Sequence, residues 1–209
     1  MTTTLCKTLQ RLCFMKRSLF VAAVLALAFF PSFPGLAAVK NYSLPSPACC
    51  IEFEVGSTLH EVHGKVKDFK SPVVPFDFET GILKAPVEIR VPVRALDTAN
   101  KMRDRSMWKM FDEKKHPEIL WRTEDLACTS ESAEQFACLG RGTLEVRGKS
   151  NPVDLRFKIR REKGEAVVQG TGTLSLKALD LHPPSVLGMI KVHDEVTLHI
   201  NTRWKEASA

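Results

Sequence analysis

Ile51-Glu52-Phe53-Glu54-Val55 alternates apolar and acidic side chains, and Val87-Glu88-Ile89-Arg90-Val91-Pro92-Val93 repeats the rhythm. A period of two is that of a strand with one face buried and one in water. Residues 59–69 continue extended, with Val62, Gly64, Val66 and Asp68 on one parity. Pro72 and Pro75 break that ladder, and Gly81-Ile82-Leu83 begins another extended stretch. Further strands are expected at residues 119–123, 139–146, 153–161, 166–176 and 192–204. Gly56 marks a bulge, and Pro92 an edge or a bulge. Turns at residues 147–152 and 162–165 join neighbouring runs. Many strands with tight antiparallel connections predict a sandwich or a barrel.

Residues 99–115 break the pattern. Met102, Trp108, Met110 and Phe111 stand among Lys, Arg and Asp, and Met107 and Phe111 lie four apart. The spacing predicts a helix, or an irregular helical insertion, ending before Pro117. Its apolar side chains would plug or line one mouth of a barrel, or simply cap the core.

The chain has 209 residues, 44% hydrophobic and 26% charged, with a formal net charge of +6. That balance excludes a disordered tail, a collagen and a multi-span membrane protein. The positive charge sits unevenly. Residues 1–38 carry Lys7, Arg11, Lys16 and Arg17 and no acidic residue. An unbroken apolar run of 12 residues, 19–30, follows, then Pro31, Pro34 and Gly35-Leu36-Ala37-Ala38. A basic start, a short apolar core and small residues at the end predict a secretory signal peptide, cleaved near Ala37 or Ala38. Initiation at Met15 would give the same leader a shorter basic region. The run is shorter than the roughly 20 residues that span a bilayer. Without the leader, 26 basic residues face 24 acidic ones, and the mature chain, 39–209, is near +2. Nucleic acid is not an expected partner. A single domain in the periplasm or medium is the expectation.

Four cysteines remain in the mature chain: Cys49, Cys50, Cys128 and Cys138. Cys128 and Cys138 bracket a polar loop between two strand-like runs, and a disulfide is expected across that hairpin. Cys49 and Cys50 are adjacent, so in a strand they face opposite ways. No metal site is expected. No Cys-x-x-Cys occurs, and His60 and His63 lie three apart, on opposite faces of a strand. Catalysis is not expected either. There is no Gly-x-Ser-x-Gly elbow, and Asp104, His116 and Ser185 spell no triad. Arg103-Asp104 reads as an ion pair or a helix anchor, and Asp180 and His182 lack a partner for acid–base work.

Five blocks, in order, carry a resemblance. They are Val62-His63-Gly64-Lys65-Val66-Lys67-Asp68-Phe69, Met102-Arg103-Asp104-Arg105-Ser106-Met107-Trp108-Lys109-Met110-Phe111, Phe111-Asp112 with His116-Pro117-Glu118-Ile119-Leu120-Trp121, Gly142-Thr143-Leu144-Glu145-Val146-Arg147-Gly148-Lys149-Ser150-Asn151-Pro152-Val153, and Asp194-Glu195-Val196-Thr197-Leu198. Together the set resembles the YceI-like family over roughly residues 48–204. The resemblance implies a lipocalin-like antiparallel β-barrel with a helical excursion. It also implies a periplasmic or secreted protein that binds a long isoprenoid chain, polyprenyl or quinone-like, without a cofactor. Cys49-Cys50 stands where the family often has His-Ser, and His116 where an aromatic is common. The Cys128–Cys138 hairpin is no family hallmark.

Such a barrel needs only a dry tunnel and a gate. The inward parity of the strands nominates Phe53, Val55, Val62, Val66, Val91, Trp121, Leu144, Leu155 and Phe157 as lining. Met107, Trp108, Met110 and Phe111 would gate the mouth. Two other readings use the same residues. One is a periplasmic interaction or stress adaptor with a solid core and no ligand; the other, weaker, is a hydrolase. Transient membrane contact fits a lipid carrier, and exposed strand edges would allow a homodimer as well as a monomer.

Overall fold

Long alternating rows become long strands. The computed structural model describes residues 39–43, 51–184 and 191–207. The expected leader, the Cys49-Cys50 pair and Ser185 lie outside the described residues. In chain order the elements are β1 (Lys40–Ser43), β2 (Ile51–Ser57), β3 (Val62–Val66), β4 (Val74–Asp77), β5 (Ile82–Leu83), β6 (Val87–Pro92), β7 (Leu96–Asp97), α1 (Lys101–Met110), β8 (Glu118–Ser132), β9 (Gln135–Val146), β10 (Lys149–Glu162), β11 (Glu165–Ser175) and β12 (Val192–Glu206).

The five long strands β8 to β12 pair in sequence order, each antiparallel to the next. β6 joins β8 at one end of this row, and β2 followed by β3 joins β12 at the other. Just past β3, Lys70 bonds Arg90 of β6 in both directions, N to O 2.8 and 2.9 Å. That bridge closes a ring of β2, β3, β6 and β8 to β12. Eight members give a barrel whose interior side chains can nearly fill or that can hold one ligand. β12 is long enough for two partners along one edge. Its first part, residues 192–200, pairs with β2, while Lys205 and Glu206 pair with β1. β4 and β5 add to β1 and extend the sheet at that end.

The expected punctuation is in part displaced. Residues 147–152 read as a turn, but only Arg147-Gly148 turns, because Val146 and Lys149 already pair. Both turn residues have positive φ, 53° and 71°, as do Lys163 and Gly164 in the next hairpin, 51° and 84°. Two residues of that backbone match the twist of the flanking strands. Pro152 consequently stands inside β10, opposite Thr143. Counted from the hairpin's closing pair it occupies a position that donates nothing to β9, and β11 joins β10 only from Leu155 onward. Pro75 likewise lies within β4, where its carbonyl accepts from Lys84 N at 2.9 Å. At Gly56 the β2–β12 register shifts, as expected of a bulge: between the pairs Val55–Val196 and Ser57–Val192, one residue of β2, Gly56, faces three of β12, 193 to 195. The helix is shorter than residues 99–115. Asn100 caps its start, its side-chain oxygen accepting from Met102 N and Arg103 N at 3.0 and 3.1 Å. It stops before Asp112, whose φ of 52° is left-handed.

The polar segment 129–137 is not a loop. Its backbone continues the β8–β9 ladder to Ser132 and Gln135, leaving only Ala133-Glu134 at the tip. Ladder pairing needs no apolar side chain, and these polar ones simply face water. Cys128 and Cys138 meet in register on that ladder and are bonded, Cα atoms 4.0 Å apart. Cys138 belongs to a buried cluster at this end of the barrel, with Tyr42, Phe76, Phe78 and Phe136. These rings meet edge to face, centroids 5.0 to 6.1 Å apart. Arg161 lies over Phe78 at 5.3 Å. Edge-to-face contacts fill space densely, so this end is the more tightly packed one. Reducing the Cys128–Cys138 bond should lower stability by about 2–4 kcal/mol in thermal melts; an unchanged melting temperature would mean that the bond is not formed in solution.

Candidate ligand-binding cavity

The other end is not filled. A cavity of about 490 Å³ lies between α1 and the inner faces of β2, β3, β6, β8 to β12 and the segment that follows β11. Ligand pockets typically fall between about 300 and 1,000 Å³. Its walls are almost wholly carbon. Of the expected lining, Phe53, Val55, Val62, Val66, Val91, Trp121, Leu144 and Leu155 border it. Phe157 does not. It sits one layer deeper, against Gly140 and Gly170, and borders a second, small chamber of about 60 Å³. The inward row of β12, Val196, Leu198 and Ile200, also lines the large cavity and shares the period-two signal of the residues named from sequence. Leu179, Leu181 and Pro183 line it too, but from an irregular segment whose sequence has no period to read.

Aromatic bulk fits the walls where glycine permits. A Cβ on Gly142 would come within 2.7 Å of Trp121 Nε1, and one on Gly64 within 2.1 Å of Phe53 Cζ. Those two glycines let large rings lie flat on the ladder.

The helix closes one side. Met107, Met110 and Phe111 border the cavity. Trp108 is absent from the lining. Its indole N–H donates to Leu96 O at 3.2 Å, and Arg94 stacks on its ring at 5.7 Å. One residue further round a helix points elsewhere, so Trp108 anchors α1 to β7 rather than gating. The Arg103-Asp104 pair completes the anchor. Buried Asp104 accepts from Thr98 N at 2.9 Å and from the Thr98 hydroxyl. Arg103 Nε donates to Thr98 Oγ1 at 2.9 Å and its Nη2 to Thr98 O at 2.8 Å. Thr98 is thus gripped from both sides. Next to it, Lys67 pairs with Asp97 at 3.0 Å and holds its carboxyl below the ordinary aspartate range.

Polar groups gather where lining residues are exposed, which marks the mouth. Met102 is 73% exposed yet borders the cavity. His60, Asn100 and Ser106 border it too and are exposed. Sequence reasoning did not nominate them, because a rim residue obeys neither the core pattern nor a catalytic motif. His60 and His63 part as their spacing dictates: His63 turns outward to Glu54 at 3.3 Å. Among the described residues no group of three or more His, Cys, Asp or Glu is placed to hold a metal. His182 lies 3.8 Å from Asp180, which is itself held by Lys149 at 2.6 Å. The segment after β11 is tied to β12 through Asp194, which accepts from Lys177 N at 2.8 Å and Ser175 Oγ at 2.7 Å. These donors keep its carboxyl below the usual aspartate range.

An antiparallel sheet curled into a barrel, packed at one end and hollow at the other, has lipocalin-like architecture. The chain belongs to the family of the YceI-like domain, which matches residues 42–204. Comparison with curated proteins finds no match. Among solved structures it resembles BcnA of Burkholderia cenocepacia, at TM-score 0.62 and 17% identity, covering 74% of this chain and 94% of that one. It resembles a polyisoprenoid-binding domain from Saccharophagus degradans at TM-score 0.62 and 11% identity, covering 81% and 100%. It also resembles the Campylobacter jejuni YceI protein at TM-score 0.55 and 18% identity, covering 70% and 86%. At these identities the likeness is one of fold.

If the Thr98 grip holds α1 in place, Asp104→Ala should cost about 1–3 kcal/mol, the loss expected when buried donors lose a charged partner. Amide exchange across residues 101–110 should rise while that of β8 to β12 is unchanged. Undisturbed exchange in α1 would show that the helix is held by its apolar contacts alone.

Proposed function

We propose that this protein is an exported, non-catalytic carrier that holds a long apolar isoprenoid-like lipid, polyprenyl or quinone-type, in the open half of its barrel. The observation that carries this reading is the carbon-walled cavity of about 490 Å³. An apolar void of that kind stays dry and takes apolar guests. Each methylene-sized group moved from water into it gains about 0.8 kcal/mol. A chain of isoprene units therefore binds by shape and dryness, with no reactive group required. The polyisoprenoid-binding domain among the structural neighbours supports the same ligand class.

Export is supported by the leader pattern of residues 1–38 and by two cysteines set in register on one ladder, a pairing suited to oxidising compartments. The adaptor reading requires a filled centre, and the cavity argues against it. Transient contact with a membrane follows from the carrier's task of collecting and delivering lipid.

Organic extraction of the purified protein followed by mass spectrometry should yield one isoprenoid lipid per chain. Val55→Trp, which fills cavity volume from β2, should lower uptake of a prenyl lipid at least tenfold while the melting temperature holds. A lipid-free protein that also takes up no prenyl quinone would overturn the reading.

A further inference from the structure

The mouth of the cavity carries two features that holding a guest does not require. The first is exposed carbon. Leu59 and Met102, 68% and 73% exposed, are the two most exposed large apolar side chains among the described residues. Met102 borders the cavity, and so does His60, which follows Leu59. A built turn holds Leu59 out: Ser57 Oγ donates to His60 O at 2.6 Å and accepts from His60 N at 3.2 Å. The second feature is positive charge. Lys101, Arg105 and Lys109 recur at every fourth residue of α1 and are all exposed. At 3.6 residues per turn their row runs directly beside that of Met102 and Ser106, which borders the cavity. The helix has one carboxylate, Asp104, and it is buried on Thr98. Lys191 is exposed as well, and its carbonyl accepts from Thr58 N at 3.0 Å, beside the Leu59 turn.

The basic row weakens the helix that bears it. Lys101 stands in the first turn, where the helix dipole disfavours a cation, and like charges four residues apart repel. Its use lies outside the helix, with an anion. Basic charge beside exposed carbon is complementary to anionic head groups above hydrocarbon. We propose that this rim docks on an anionic phospholipid bilayer, with Lys101, Arg105 and Lys109 on the head groups and Leu59 and Met102 reaching between them. The inference rests on the carrier reading above and gives it a partner surface. The docked mouth opens onto acyl chains, so an apolar guest passes between cavity and bilayer without crossing water. An acidic protein would also meet the charges. The bilayer is favoured because hydrocarbon continues the carbon walls of the cavity through the mouth.

Sedimentation with vesicles tests this. The wild type should bind vesicles of mixed phosphatidylglycerol and phosphatidylcholine at least about tenfold more tightly than phosphatidylcholine alone. Added salt should erase most of that preference. The triple variant Lys101→Gln, Arg105→Gln, Lys109→Gln should lose it, while its uptake of a prenyl lipid presented without vesicles is unchanged. Leu59→Ser should weaken binding to the mixed vesicles severalfold and leave its salt dependence in place. A control, Arg141→Gln, Arg156→Gln, Lys158→Gln, removes the same charge from exposed positions of β9 and β10 and should bind as the wild type does. No preference for phosphatidylglycerol in the wild type would overturn the docking surface and leave the carrier standing. An equal loss in the control, or undiminished binding by Leu59→Ser, would overturn it as well. Preferential binding to the mixed vesicles by a protein that takes up no prenyl lipid would overturn the carrier reading alone.

Discussion

The structure depends on a closed ring of backbone hydrogen bonds. Once Lys70, just past β3, is bridged to Arg90 of β6, each of the eight barrel members has a neighbour on both sides and alternate residues along it point inward. The ring fixes the size of the interior before any side chain is chosen. What remains to the sequence is how to fill it, and this chain fills its two ends differently. Tyr42, Phe76, Phe78 and Phe136 occupy one end ring against ring. Valines, leucines and methionines edge the other and fall short of its centre.

That asymmetry governs the energetics. Side chains bordering a void forgo contacts on one side, so the hollow end is the less stable half of the unliganded barrel. A guest restores those contacts, and ligand binding adds to folding stability by mass action. The more tightly packed end, with the Cys128–Cys138 staple beside it, keeps the ring intact while the other end stays empty. The helix is built to match. It is held by polar contacts on Thr98 and by Trp108, besides the packing of Met107, Met110 and Phe111 against neighbouring apolar clusters. A helix held this way can present Met107 and Met110 to an empty space without collapsing into it. Methionine, unbranched and polarizable, adapts to whatever chain arrives.

Much of this was legible in the sequence, for a physical reason. Period-two alternation is dictated by strand geometry alone, so Phe53, Val55, Leu144 and Leu155 announce their inward faces without any knowledge of neighbours. The helical break at residues 99–115 was legible because it lacks that period. Turn lengths were less so. Residues 129–137 and 147–152 look like loops because they are polar or carry Pro152, yet ladder bonds are made by backbone, which composition does not report. Trp108 was assigned to the gate because an aromatic beside Met107 and Met110 looks like one; a rotation of 100° per residue turned it to Leu96 instead. The rim, with His60 and Asn100, gave no signal at all, since three-dimensional closure brings those residues together. Whether the centre is full or hollow was equally unreadable. Packing and lining use the same side chains, and only the summed volume against a fixed ring separates them.

The central claim is that the barrel holds an elongated apolar guest between α1 and Trp121. A crystal structure of the full protein, purified from its own source without detergent, tests it most directly. The account predicts continuous elongated electron density running from Met102 down to the floor at Trp121, in contact with Val55, Leu144 and Leu198. Side chains collapsed inward, with no density and no space between α1 and β9, would contradict it.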